Sequence, residues 1–209
     1  MSRETEIVRR EEIINACEEL YKTTSFNEIS IKLISEKTTF SRPSIYNYFN
    51  TKEEIFLALV TKEYYKWIED LNKIYNKEKI SKENFANELA HSLEKRINLL
   101  KLISVNMYEM EENSSVECVT EFKVAYGNTI DIVRNCLIKF FKDMNDKEVE
   151  KFIYTFFPFM IGIYPYAVVT DKKREAMKNA GVHYEYYSLF EIANMGIKKM
   201  LGVWCLTNI

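Results

Sequence analysis

The chain has 209 residues, enough for one large or two small domains with a sizeable hydrophobic core. Its formal net charge is −2 and 47% of its residues are hydrophobic, which counts against a disordered chain and against a strongly basic nucleic-acid-binding chain. All five glycines follow position 126, and Pro43 is the one proline before Pro158. Because β-hairpins need such turn residues, this distribution predicts an all-α fold.

Helical periodicity begins near the N-terminus. The first predicted helix runs from about Glu4 to Tyr21 and carries a regular apolar stripe. The stripe consists of Ile7, Ile13, Ile14, Cys17 and Leu20. The polar run of residues 23–25 ends this helix.

Two short helices are predicted next, over residues 30–49. Ser30 is a natural N-cap for the first, and Ser41 for the second. Pro43 lies in the first turn of the second helix, where a missing N–H costs little. Ile45 and Phe49 lie four residues apart, so they share one inward face. The polar residues remain on the other faces: Arg42, Ser44, Tyr46, Asn47 and Tyr48. A short helix with this composition is typical of DNA recognition.

Capping signals predict the longer helices that follow. The box at residues 51–54 begins a helix that extends to about Asn76. Ser81 caps another helix, and boxes at residues 114–117 and 145–148 open two more. Residues 171–183 are predicted as a charged connection, and the last helix as residues 184–204.

Residues 152–170 carry no charge, and this length approaches that of a membrane span. A buried helix is the favoured interpretation, because Pro158, Gly162 and Pro165 interrupt the segment and its hydroxyl groups need partners. Both prolines are expected to kink or break the helix. A membrane-attached protein remains the alternative.

The motifs of the first quarter of the chain resemble the DNA-binding domain of TetR-family transcriptional regulators. The matching segments are Ile34-Ser35, residues 38–41, 45–49 and 52–55, with Arg9, Arg10, Ile13, Ile14, Ala16 and Phe26 upstream. Thr39 stands where the family has a corner glycine. If the corner needs a positive φ, a β-branched residue there is costly.

The resemblance implies an all-α chain with a three-helix helix-turn-helix domain over residues 1–50 and a helical ligand-binding and dimerisation domain over residues 51–209. It implies a cytoplasmic homodimer that binds a palindromic operator on double-stranded DNA. It also implies repression, with release when a small effector binds the C-terminal domain. The helix after residue 51 would transmit that change to the recognition helices.

The family's contacts carry over to positions of this chain that match the motif. Arg42 would read guanine, Asn47 adenine, and Pro43 would contact a thymine methyl. The other predicted contacts with DNA, mainly with phosphates, are Ser30, Ser44, Tyr46, Tyr48 and Lys52. Lys52 gains from its place at a helix N-terminus.

Sixteen of the 29 aromatic residues lie in positions 121–209, which suits a pocket for a largely apolar or aromatic effector. The candidate effector residues are Phe122, Tyr126, Phe156, Phe159, Tyr164 and Tyr166. The last predicted helix carries a wide apolar stripe with small residues at its centre. The candidate dimer residues are Phe190, Ala193, Gly196, Ile197 and Met200.

No motif in the sequence indicates catalysis, a metal or a cofactor, so an enzyme is not expected. Glu88 and His91 form half of a di-iron signature, but the second copy is missing. The four cysteines are far apart and predict packed, reduced thiols, with a redox role as the less favoured alternative.

One further alternative remains, a helical ligand-binding or interaction protein with a non-functional DNA-binding head. The first 56 residues hold eight Lys or Arg and ten Asp or Glu, which is acidic for a DNA-binding domain. The replaced corner glycine also supports this alternative.

Overall fold

The computed structural model describes residues 3–203, and within them the chain forms eleven α-helices and no β-strand. The predicted all-α fold is therefore confirmed. The helices are α1 (Arg3–Tyr21), α2 (Ile31–Ser35), α3 (Arg42–Ile45), α4 (Lys52–Tyr75), α5 (Lys82–Glu94), α6 (Ile97–Val105), α7 (Met107–Glu112), α8 (Val116–Phe140), α9 (Asp146–Ala167), α10 (Asp171–Asn179) and α11 (Leu189–Met200).

The chain divides into two compact units. The first comprises residues up to Tyr65 together with Val105–Gly127, and the second comprises Lys66–Ser104 with the residues from Asn128 onward. The helices α4 and α8 each contribute residues to both. The boundary predicted after residue 50 separates a DNA-binding domain from a ligand-binding domain, and it stays a prediction. The compact units follow packing instead.

Local capping explains where most helices begin. The hydroxyls of Ser30 and Ser81 accept the backbone N–H groups of their first turns, as predicted. Asn145 forms the complete capping box of α9. Ser41 occupies the N-cap position of α3, but its hydroxyl pairs with the hydroxyl of Ser44 at 2.8 Å instead of a backbone N–H. These side chains satisfy donors that a helix start leaves unpaired.

The core of the first unit is formed by α1, the two short helices and the start of α4. Ile45 and Phe49 are 0% and 1% exposed, which confirms their inward face. The Phe56 ring lies 4.5 Å from that of Phe26, and this contact fixes the start of α4 against the loop before α2. Ile7 was predicted to be buried but is 57% exposed, because it lies nearly two turns before Ile13, the first fully buried residue of α1.

The core of the second unit is built around Trp67 of α4, which is fully buried. Its indole N–H donates to the Ser92 hydroxyl at 2.9 Å, so the polar atom has a partner inside the core. The rings of Phe156 and Phe157 lie 6.4 and 6.3 Å from the indole. The aromatic residues of α9 therefore pack against α4.

Two polar contacts hold the C-terminal half of α4 in this unit. Arg96 donates to the Asp70 carboxylate at 2.7 Å, and Lys139 donates to the backbone carbonyl of Tyr75 at 2.6 Å. Burial alone would raise the pKa of Asp70, but hydrogen bonds from Lys73 and Arg96 bring it below its ordinary value. The carboxylate is thus ionised and paired, and Lys139 satisfies a carbonyl at the helix end.

Helix α9 runs without interruption from Asp146 to Ala167, so the prolines do not break it. Pro158 and Pro165 are both exposed. A helical proline frees the carbonyl four residues earlier. Tyr154, whose carbonyl Pro158 leaves unbonded, is itself 78% exposed, so that side of the helix is open to water.

The region before the last helix differs from the prediction. Part of the supposed charged connection forms α10, which Thr170 caps, and α11 begins at Leu189 instead of Tyr184. Ser188 and Glu191 form a capping box that explains the later start. The helix also ends earlier than the predicted residue 204, at Met200, because Leu201 forms its C-cap and Gly202 follows with a positive φ.

The box predicted at residues 114–117 also lies one residue too early. Helix α8 begins at Val116, and the Ser115 hydroxyl accepts the N–H of Cys118 at 3.5 Å.

Among residues 3–203, no single helix is long and apolar enough to cross a membrane. Helix α9 meets that test of length and composition only together with α10, to which it is bent by 82°.

Candidate DNA-binding surface and effector site

The corner between α2 and α3 is held by a contact that the sequence did not reveal. One carboxylate oxygen of Glu12 accepts the Thr39 backbone N–H at 2.7 Å and the Thr39 hydroxyl at 2.9 Å. Positive φ values among the described residues occur only at glycines, so Thr39 has none. The corner therefore does not need the conformational freedom of glycine, and α1 fixes it through the threonine itself.

Helix α3 presents its polar side chains to solvent while Ile45 faces the core. Arg42, Pro43 and Asn47 are exposed, and Tyr46 is 44% exposed. Arg42 Nη2 lies within donating distance of the Tyr46 hydroxyl, at 3.4 Å. The contact spans one helical turn and orients the guanidinium. The structure thus brings together the predicted base readers on one exposed surface.

The other predicted phosphate contacts already have partners within the first unit. The Ser30 hydroxyl serves as the α2 cap, and that of Ser44 pairs with Ser41. The Tyr48 hydroxyl accepts a hydrogen bond from Arg9 at 3.3 Å. Hydroxyls can both donate and accept, so these positions keep capacity for a phosphate oxygen.

Lys52 is held more firmly than the sequence indicated. Its ammonium donates to the carbonyl of Phe26 at 3.1 Å and lies 4.5 Å from the centre of the Phe26 ring. The side chain is 22% exposed. The lysine therefore stabilises the loop before α2, and only part of its donor capacity faces solvent.

Arg9 and Arg10 belong to the segments that match the family motif, but the sequence predicted no function for them. Arg9 is exposed, and its guanidinium lies 5.5 Å from the centre of the Phe40 ring. Arg10 donates to the Tyr48 carbonyl at 3.4 Å and lies 4.6 Å from the Phe49 ring. The sequence signal that could have identified them is the pair of adjacent arginines on a largely acidic helix.

The six candidate effector residues are divided between the two compact units. Phe122 and Tyr126 belong to the first unit, where their rings lie 5.9 and 5.8 Å from Tyr64. Phe156 is fully buried beside Trp67 in the second unit. Phe122 and Phe156 are core residues in this structure, and Tyr126 is half-buried.

Phe159 and Tyr166, two of the six candidates, line an open cleft of about 590 Å³ along α9 and α11. Its remaining walls are mostly aromatic and aliphatic: Gly162, Ile163, His183, Tyr184, Glu185, Tyr187, Ile192 and Met195. Tyr164 does not line this cleft; it is half-buried, and burial raises the pKa of its hydroxyl. Residues 183–187 were not among the six candidates, although their tyrosines belong to the aromatic-rich region that predicted a pocket.

The candidate dimer residues divide in the same way. Ala193 and Ile197 are fully buried inside the chain, so they pack α11 and present no surface to a partner. A Cβ at Gly196 would come within 2.5 Å of the Phe159 ring, so this glycine permits close approach of α9 and α11. Phe190 stacks on His91 with ring centres 4.1 Å apart. Gly196, Phe190 and Met200 keep partial exposure.

The cysteines and the half di-iron motif have ordinary structural surroundings. Cys17 and Cys136 are buried, and burial raises the pKa of the Cys136 thiol to about 12. Cys205 lies outside the described residues. Glu88 pairs with Lys77, and His91 contacts Glu94 as well as Phe190.

The Glu12–Thr39 contact predicts that restoring the family glycine is harmful. Thr39→Gly should lower the free energy of unfolding by about 1 kcal/mol, because it removes a hydroxyl hydrogen bond and increases the freedom of the unfolded chain. Thr39→Ser, which keeps the hydroxyl, is the control and should cost less. Urea unfolding monitored by circular dichroism measures both. A Thr39→Gly variant more stable than the parent would contradict this account.

Comparison with known proteins places this architecture in a family. The family model described as "Bacterial regulatory proteins, tetR family" matches residues 13–59. The model described as "Tetracyclin repressor-like, C-terminal domain" matches residues 61–186, more than half of the chain. A comparison with the curated proteins finds no significant match.

Solved structures of similar fold agree with these matches. A TetR/AcrR-family regulator from Thermobifida fusca has a TM-score of 0.63 at 18% identity, over 94% of this chain and 98% of that one. FadR from Bacillus subtilis, in complex with stearoyl-CoA, has a TM-score of 0.57 at 16% identity, over 93% and 98%. Thermus thermophilus FadR, a TetR-family repressor in complex with lauroyl-CoA, has a TM-score of 0.56 at 15% identity, over 96% and 97%. The chain belongs to the TetR family and is a DNA-binding transcriptional regulator.

Proposed function

We propose that this regulator is a homodimeric repressor that leaves a palindromic operator when a small, largely apolar effector binds its C-terminal domain. The observation that carries the proposal is the division of α3 and its flanking turn into two faces. Arg42, Tyr46 and Asn47 are exposed together, while Ile45 and Phe49 anchor the opposite face in the core. The alternative of an idle head loses one of its supports, because the corner tolerates Thr39 without a positive φ.

The exposed face formed by α3 and the turn that follows it supports direct reading of base edges in the major groove. Arg42 suits a bidentate contact with guanine, and Asn47 suits adenine. The hydroxyl of Tyr46 restrains Arg42 before DNA is bound, which lowers the entropy lost on binding. Pro43 is exposed beside them and suits a thymine methyl.

The outer surface of α9 and α11 supports the homodimer. Tyr166 is 61% exposed and Met195 is 50% exposed, and both border the cleft of about 590 Å³. An exposed apolar surface of this kind favours a protein partner. In a two-fold symmetric dimer, this surface would pack against the same surface of a second copy of the chain. Dimerisation would place two recognition helices on half-sites about one helical turn apart.

Effector binding would act on the spacing of those helices. Helix α4 begins three residues after Phe49 and contributes residues to both units, so a shift of its C-terminal half would move its start. The FadR structures hold stearoyl-CoA and lauroyl-CoA. Acyl-CoA thioesters are therefore the first effectors to test, and the aromatic residues of the second unit suit their acyl chains. We place this activity in the cytoplasm.

Selection from random duplex DNA, with the parent and two variants, tests the DNA-binding roles. The parent should enrich a palindrome. Arg42→Ala should lose about 1–3 kcal/mol of operator binding and accept any base at one position of each half-site. Lys52→Ala should weaken all sequences alike and reduce the slope of log affinity against log salt by about one unit. An Arg42→Ala protein with the parent's sequence preference would remove the assigned role.

Charge placed on the outer face of α9 should prevent dimerisation. Tyr166→Glu should give a folded monomer in sedimentation experiments, because two buried carboxylates would face each other in the symmetric interface. Tyr108→Glu on α7, at a residue 79% exposed, is the matched control and should stay dimeric. If Tyr166→Glu sediments as a dimer, the interface lies elsewhere.

Release of the operator measures the effector response. Stearoyl-CoA should lower operator affinity at least about fivefold, the smallest coupling typical of allosteric sites, and free CoA should not. Fluorescence anisotropy of a labelled operator follows release, and calorimetry establishes whether the thioester is bound. Bound thioester with unchanged operator affinity would exclude this class as the effector.

A further inference from the structure

The turn between α3 and α4 is tied to the start of α8 by hydrogen bonds, of which that of Glu54 is partly buried and that of Thr51 is exposed. Glu54 of α4 accepts the backbone N–H of Ser115 at 3.1 Å. The Thr51 hydroxyl donates to the carbonyl of Asn113 at 3.0 Å and accepts the N–H of Glu54 at 3.1 Å. Residues outside the helix-turn-helix motif thus hold the chain just after the recognition helix.

Glu54 is suited to this task because it faces only donors. Its other partners are the backbone N–H of Asn50, at 2.6 Å, and the side-chain amide of Asn50, at 3.3 Å. The residue is 2% exposed. Burial alone would raise the pKa of Glu54, but these N–H groups together with the backbone N–H and the hydroxyl of Ser115 bring it below the ordinary value. The ionised carboxylate therefore accepts hydrogen bonds at both of its oxygens, which a neutral amide cannot do because it has only one accepting oxygen.

Arg10 of α1 provides a second connection between α8 and the residues that follow α3. It donates to the Glu121 carboxylate of α8 at 3.2 Å and, through its other terminal nitrogen, to the Tyr48 carbonyl. Its guanidinium also lies over the Phe49 ring. Residues 113–121 are therefore bonded directly to Thr51 and Glu54 and, through Arg10, indirectly to Tyr48.

We infer that residues 113–121 position the recognition helix, with Glu54 as the central positioning residue, so that operator affinity depends on the start of α8. Helix α3 has four residues and cannot hold its own direction. Its C-terminal neighbours are bonded to Ser115, Asn113 and, through Arg10, Glu121. Helix α8 then continues to Phe140, so a displacement of this helix would reach the DNA-binding surface by a route separate from α4.

Replacing single carboxylates tests the inference in the full-length chain. Glu54→Gln presents an NH₂ group to N–H donors and should weaken operator binding about tenfold. The matched control is Glu117→Gln, which removes the same charge at an exposed carboxylate in the first turn of α8. The control should stay within about twofold of the parent.

A second variant leaves the helix-turn-helix sequence and the core untouched. Glu121 is 61% exposed, so Glu121→Gln should fold as the parent does. Removing an acidic group near DNA would by charge alone raise affinity, whereas loss of positioning should lower it about twofold to fivefold. The direction of the change therefore separates the two effects.

Half-site spacing separates positioning from loss of stability. Operators with half-sites moved by one base pair are measured beside the parent operator for each variant. Positioning predicts that Glu54→Gln and Glu121→Gln change the ratio of affinities among these operators. Equal affinity ratios in folded variants, or an increase in affinity for Glu121→Gln, would overturn the inference. If Glu54→Gln does not fold, Glu121→Gln alone decides.

Discussion

The recognition helix has only four residues, so its position depends on contacts with the rest of the first unit. So short a helix has no stability of its own, because nucleation costs more than its hydrogen bonds return. Its direction must come from tertiary contacts. Ile45 and Phe49 anchor it in the core, and Glu12 fixes the corner before it. Glu54 holds the turn after it. The orientation of the DNA-binding surface therefore depends on these contacts with the core and with the neighbouring segments.

Two long helices belong to both compact units: α4 and α8 each contribute residues to the first and to the second. In the second unit, Asp70 and Lys139 fasten the C-terminal half of α4 through charged groups. In the first unit, Glu54 fastens its start. Charged hydrogen bonds of this kind are directional, so they fix helix position more narrowly than apolar packing does.

Sequence reasoning succeeded where a helix boundary depends on neighbouring residues. Ser30, Ser81 and Asn145 cap the helices that follow them, as their positions indicated. It failed where competing local signals had to be weighed. The charged run that forms α10 has no apolar periodicity, and the capping box at Ser188 was overlooked within an aromatic segment.

Local patterns by themselves determined the all-α class, the helix-turn-helix motif and the exposed residues of α3, because periodicity and capping act over a few residues. Tertiary structure decided which apolar residues are core and which are surface. Ala193 and Ile197 looked like an interface but are buried inside the chain, whereas Tyr166 is exposed. It also decided the Glu12–Thr39 and Glu54–Ser115 contacts, which join residues 27 and 61 positions apart. Because these contacts join residues that only the folded chain brings together, no local pattern in the sequence predicts them.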